Sequence, residues 1–297
     1  MSANPFYETA QDGSPLIELK QGIVLYVSHP PNPAKARLVY DYYLMHCGKR
    51  IRVYRSTVPG SQLKSWNQEA QQRFENQELP NIRQRDHWGY VFSDHEPRAS
   101  WLFMFHGYRP YSEAGKASFY RFDFDWQVDL TFLQDFAQGI IELVPCLSGF
   151  GGYYLQGRLA FEKSSYNRMF ALARRYWGVE AHNLEVTVNH MLEGYKCVNW
   201  LTIIGDQLRK KSPRAIEAAK QVAHSYHETP YATLFKAQAL PKFCDRHGQE
   251  VLDGYTALAN ALLPLQVTRH DSLGGDMWDE DNTMTYLRRF THPDEMV

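Results

Sequence analysis

The residues in this chain best suited to hold a metal are His224-x-x-His227 and Cys244-x-x-His247. Two imidazoles three positions apart near a helix end share a face, and zinc accepts imidazole and thiolate ligands together. Such a set would serve a metal-dependent hydrolase. The spacing matches no standard finger, however, and Pro230 and Pro241 fall between the pairs. Solvated helix-end histidines are the plainer reading, and no cofactor is expected. A second group is acidic: Asp276, Asp279, Glu280 and Asp281. A calcium loop needs glycine at its sixth position and glutamate at its twelfth. Counted from Asp276, those positions hold Asp281 and Leu287; counted from Asp279, they hold Met284 and Phe290. What remains is an acidic turn with Trp278 at its centre. No core is evident for that indole to enter, and Trp is a frequent interface anchor.

Three further groups offer weaker chemistry. Asp123-x-Asp125 sets two carboxylates on one side of a strand, but Arg121 shares that side and suggests local charge balance. Gly149-Phe150-Gly151-Gly152 precedes a strand, whereas a dinucleotide cradle follows one and opens a helix. The loop His106-Gly107-Tyr108-Arg109-Pro110-Tyr111 places Tyr108, Arg109 and Tyr111 at a sheet end, and these are residue types that interfaces favour. No G-x-S-x-G is present, and His29, His46, His87, His95 and His106 stand in no nucleophile motif. Enzymatic turnover is therefore not expected. A molecule that binds through its surface is.

The elements that must carry these groups alternate between two periods. Ile23–Val27 reads as a buried strand, and Leu38, Tyr42 and Met45 give a helix over 34–47. Residues 62–78 read as one solvated helix. Strands follow at 88–92 and 101–105, and at 119–126, where Tyr120, Phe122, Phe124 and Trp126 alternate with Arg121, Asp123 and Asp125. The second half predicts a helix over 130–143, a strand over 150–155, and a helix capped by Ser164 or Ser165. A strand over Cys197–Ile204, a helix from Ser212-Pro213, a strand over 231–235 and helices over 248–263 and 283–289 complete it. Helices mixed with hairpin-connected strands give an α+β fold with mixed or antiparallel sheets. Residues 1–16 are expected to be a flexible tail, and 17–297 a single domain. Each half, 17–127 and 128–297, holds a strand–helix–strand group and further strands, which is compatible with a diverged duplication, but no fixed-period repeat is visible.

Composition narrows the partner. Aromatics make up 14% of 297 residues, a large payload for cores and interfaces. A net charge of −1 and a pI near 6.9 argue against direct nucleic-acid binding, which needs excess Lys and Arg. Four scattered cysteines read as reduced thiols. Met1–Pro15 lacks a secretion signal, and no apolar run reaches the length of a membrane span, so a cytoplasmic location is expected.

Asn199-Trp200-Leu201-Thr202-Ile203-Ile204-Gly205 resembles the N-W-L-T-x-x-G mark of the TsiV-like type VI secretion immunity family. The early strand, the alternating strand, the Tyr166–Trp177 helix and Leu262-Leu263-Pro264-Leu265 agree with it, over about residues 17–290. A Leu-Gly-Gly expected soon after the mark stands instead at Leu273-Gly274-Gly275. The resemblance implies an immunity protein that neutralises a cognate effector toxin, often a PD-(D/E)xK nuclease, in a 1:1 complex without turnover. A nuclease presents a basic groove, so acidic and aromatic side chains suit its inhibitor. Asp276, Trp278, Asp279, Glu280, Asp281, Asp123 and Asp125 are then the expected contacts, with Tyr108, Arg109 and Tyr111. The alternatives are the zinc hydrolase and a ligand-binding module built on the aromatic sheet.

Overall fold

Aromatic residues at every second position build the centre of the protein. The computed structural model describes residues 4–82, 88–95, 99–108, 113, 115–157, 162–248, 250 and 252–296. In chain order the strands are β1 (Glu8–Thr9), β2 (Pro15–Val27), β3 (Val53–Ser56), β4 (Lys64–Ser65), β5 (Trp88–Ser93) and β6 (Leu102–Gly107), then β7 (Ser118–Phe124), β8 (Ser148–Gly157), β9 (Glu180–Ala181), β10 (Leu201–Gly205), β11 (Ser225–Glu228) and β12 (Ala232–Lys236). They form one sheet of order β11-β12-β10-β8-β2-β7-β6-β5-β3-β4, antiparallel along this path. β1 adds to β2, and β9 lies parallel to β8. The helices are α1 (Pro33–Cys47), α2 (Gln68–Arg73), α3 (Leu130–Leu143), α4 (Lys163–Arg175), α5 (Leu184–Thr187), α6 (Asp206–Lys211), α7 (Pro213–Val222), α8 (Asp253–Leu262) and α9 (Glu280–Leu287). The fold is α+β, as the sequence implies.

One sheet face carries Tyr54, Phe92, Phe103, Phe122 and Ile23 in register across β3, β5, β6, β7 and β2. Helix α1 lays Tyr43 on Phe103 (ring centroids 5.1 Å apart), and α3 lays Phe136 on Phe122 (5.1 Å). Each such pair adds roughly 0.5–1.5 kcal/mol beyond area burial, so this layer absorbs much of the aromatic content. On the other face, Val91, Met104, Arg121, Val24 and Phe150 run in the matching row. The segment after α4 covers its β2–β8 side, with His182 against Phe150 (5.5 Å) and Tyr154 (4.8 Å). Gly22 pairs with Gly152 where Tyr154 and Trp200 cross the sheet; a Cβ on Gly22 would stand 2.6 Å from the Tyr154 ring.

Several expectations are corrected. The opening segment is anchored from Asn4 onward: Phe6 is buried against Tyr176 and Phe243, and Glu8 takes Arg168 bidentately at 2.8 Å. Residues 62–78 are not one solvated helix. They form β4, α2 and a π-turn whose Phe74 is fully buried. Ser165 does not cap α4; its hydroxyl donates to the Leu16 carbonyl. The strand expected from Cys197 starts only at Leu201. The strands of 17–127 and those of 128–297 stay on separate sides of the one sheet and meet at the β2–β8 pairing.

Candidate partner-binding surface

The acidic turn lies against α4. Gly274 and Gly275 have φ of +120° and +75°, and Gly275 sits so close to Tyr166 and Asn167 that a Cβ would reach 3.0 Å from Tyr166 Cβ. The chain can therefore lie flat on the helix. Asn167 Oδ1 accepts from the Asp276 and Met277 amides, and Lys163 Nζ donates to Asp276 Oδ1 at 2.7 Å. Asp279 N-caps α9 by accepting from the Asn282 amide at 2.6 Å. Asp276, Asp279, Glu280 and Asp281 are all exposed.

Trp278 is not. It is 1% exposed, its ring meets Phe170 and Tyr286 edge-on, and its Nε1 donates to the Tyr166 carbonyl at 2.8 Å. A core does await that indole, built by α4 and α9. The large apolar side chain the turn presents to solvent is Met277.

Beneath Met277 runs a groove of about 650 Å³ between α4 and the Arg246–Gly248 turn. Its walls carry Arg174, Arg175, Arg246 and His247, with Phe170 among the lining residues. Arg175 pairs with Asp245 through two bonds, of 2.9 and 2.6 Å. Arg174 and Arg246 are exposed, and no ion pair joins either to a carboxylate among the described residues. Arg246 lies 4.1 Å over the Trp177 ring, and Arg174 lies 5.8 Å over Phe170. This basic groove was missed in the sequence; the Arg174-Arg175 doublet at the helix end was its only trace.

The β7 carboxylates behave differently from expectation. Asp123 is buried and held by Arg121 at 2.8 and 2.7 Å, while Arg121 also donates to the Tyr154 hydroxyl at 3.2 Å. The polar stripe of β7 is thus closed on itself. Asp125 lies beyond the strand and accepts from the Gln127 amide. Tyr108 is half-buried, its amide donating to Ser118 Oγ and its ring under Lys116. Arg109 and Tyr111 lie outside the described residues. Next to Arg121 a smaller cleft, about 280 Å³, is lined by Tyr154, Gln156, His182 and Glu185. Burial, then the Arg121 charge, holds His182 far below its ordinary pKa and so uncharged.

The zinc candidates do not converge. His224 and His227 follow the end of α7, the second of them on edge strand β11, where residues three apart face opposite ways. His227 meets Glu142 at 3.1 Å, and the buried Cys244 thiol donates to the Glu250 carbonyl. His247 lines the arginine groove instead. Among the described residues no group of three or more His, Cys, Asp or Glu side chains could hold a metal ion.

Under the 195–206 stretch lies a buried ionic cluster that sequence reading also missed. Glu180 takes Lys196 Nζ at 2.6 Å and Arg289 Nη2 at 3.3 Å, with Asn199 Nδ2 and Tyr286 OH donating to the same carboxylate. All three charged residues are under 5% exposed. Burial works to raise the Glu180 pKa, and Lys196 and Arg289 outweigh it, holding the carboxyl at about 2. Asn199 and Thr202 close a tight turn on each other, and Trp200 Nε1 donates to the Gln238 carbonyl. The signal in the sequence was Lys196, a lone charge in an otherwise apolar run.

A family profile described as "TsiV: Type VI immunity for VRR-NUC" matches residues 61–290. Among solved structures, the Pseudomonas aeruginosa T6SS protein PA0821 superposes with a TM-score of 0.76, covering 97% of this chain and 88% of its own, at 14% identity. At that identity the likeness concerns the fold. The curated proteins searched gave no match. Among the described residues no helix is long and apolar enough to cross a membrane.

Proposed function

The chain belongs to the TsiV family of type VI immunity proteins, and on that premise we propose that it neutralises a cognate nuclease effector by occluding its active or DNA-binding site. The match over residues 61–290 carries the reading, since it takes in β4 to β12, α4 and the acidic turn together. The family description supplies the effector class. The exposed rim of Asp276, Asp279, Glu280 and Asp281 supports it physically: exposed carboxylates speed encounter with a basic DNA-binding groove and fix its register. Met277 stands among them as the apolar contact. Trp278 serves by holding the turn in shape, and Asp123 by closing β7; neither reaches a partner. Asp125, just past the end of β7, and Tyr108, beside its start, serve as secondary contacts at opposite ends of that strand. The protein works in the cytoplasm, one copy per toxin, and turns nothing over. The zinc hydrolase loses its support because its four ligands lie apart.

The test is a titration. The product of the reading frame adjoining this chain's own is incubated with plasmid DNA and rising amounts of the purified protein. Cleavage should stop near equimolar ratio, and the two should elute as one species. Cleavage undiminished at tenfold excess would remove the reading.

A further inference from the structure

We infer that the groove between α4 and the Arg246–Gly248 turn receives a carboxylate-bearing segment of the partner protein. The inference rests on the immunity reading, but it assigns a second surface of the opposite sign to the acidic rim. Three observations carry it. Arg174 and Arg246 are exposed and have no carboxylate partner among the described residues. Each guanidinium is laid over an aromatic ring, Arg246 at 4.1 Å and Arg174 at 5.8 Å. An arginine held that way keeps its hydrogen-bonding fork free and loses less freedom when a ligand arrives. Between them, Arg175 already grips Asp245 through two parallel bonds, so the groove's geometry admits the bidentate carboxylate pairing. Phe170 and the exposed Met277 add apolar contact for the segment's stem, in a space of about 650 Å³.

The rim decides between acidic partners. Asp276 is fixed on Asn167, itself a lining residue, and Asp279, Glu280 and Asp281 follow. A nucleic-acid strand would bring continuous negative charge past these carboxylates, and the chain as a whole has no cation surplus. A protein segment can place one or two carboxylates on the arginines and basic residues on the rim. Groove and rim together fit a partner surface where both signs alternate.

The experiment compares the full chain with its R174E/R246E variant, titrated calorimetrically into the product of the adjoining reading frame. The variant should keep its melting temperature and bind about 100-fold more weakly, on the order of tenfold for each arginine anchor. R174K/R246K, which keeps the charges and loses the forks, should fall between. Equal affinity of wild type and R174E/R246E would overturn the inference and leave the immunity reading standing. Failure of the wild type to bind would sink the immunity reading itself. Two further outcomes also overturn it: a 20-base-pair DNA duplex that binds the wild type and not the variant, or a wild-type dimer that the variant disperses. Should the reversal lower the melting temperature, R174Q/R246Q carries the same comparison.

Discussion

Arg289 and Arg246 flank the same tryptophan and do opposite work. Arg289 is buried, donates from Nε to the Trp177 carbonyl at 2.9 Å, stacks on Tyr286 at 4.0 Å and meets Glu180. Arg246 stacks on the Trp177 ring from outside and faces solvent without a carboxylate. The first is part of a closed account of charge, in which every donor of the cluster has a named acceptor. The second leaves its fork open. A buried charge without a partner costs several kcal/mol, whereas an exposed one costs almost nothing. The same side chain is therefore bound to structure in one place and free for recognition in the other. The family mark belongs to the first kind: Asn199 bonds Glu180, and Trp200 ties β10 to Gln238.

The largest test of this contrast is Glu180→Gln, which leaves Lys196 and Arg289 buried without their counter-charge. We expect a loss of about 3–5 kcal/mol in urea unfolding; a loss below about 1 kcal/mol would break the contrast. Next comes Trp278→Ala. It opens a cavity beneath the acidic turn and should cost about 3 kcal/mol, weakening toxin binding only as the turn loosens. A variant as stable as wild type would mean that the indole is not packed as described.

Acid provides a smaller effect. Burial, then the Lys196 charge, holds His270 at about 3, below its ordinary 6.5. Below pH 6.5 the unfolded chain takes up a proton that the folded chain refuses, so stability falls as the pH drops from 6.5 toward 3. By pH 5.5 the loss from this residue is about 1.4 kcal/mol. Glu180 acts lower down: its contribution is full above pH 4.5 and disappears as the pH falls toward 2. Urea midpoints at pH 7.5, 5.5 and 3.5 measure the sum, and His270→Gln should flatten the upper part of the curve. The smallest effect is Arg246→Ala, which should shift stability by less than about 0.5 kcal/mol and be visible in binding alone.

Sequence periodicity located α3 and β7 closely, because their apolar positions repeat without interruption. It placed the ends of α1 closely too, but the residues that marked it, Leu38 and Met45, are exposed, and Ala36, Val39, Tyr40 and Tyr43 form the buried face. It misjudged what β7 faces. Alternation reads as one wet side, but Arg121 and Asp123 satisfy each other and need no water. It also set the start of the β10 strand too early. Residues 195–200 are as apolar as a strand, yet Tyr195 bridges to Gln266 and Asn199 turns back on Thr202. The acidic rim was legible because charge at a glycine-rich turn stays outside. Trp278 was not, because the receiving pocket is made by Phe170 and Tyr286, from segments before and after it. The arginine groove combines α4 with a turn some seventy residues later, Arg175 reaching Asp245 across that gap, and no local pattern announces such a meeting.

The position of β2 sets a schedule for synthesis. This strand is made well before either neighbour, yet it lies between β7 and β8. Roughly 120 residues must be translated after its end before β8 begins, on the order of 10 s at ribosomal speed. β7 can close one edge of this strand, which has nine consecutive buried positions, once residue 124 is made, but the other edge stays open until β8 follows. A nascent chain released before residue 148 would therefore be an aggregation seed, and the sheet cannot be completed until β8 has been made.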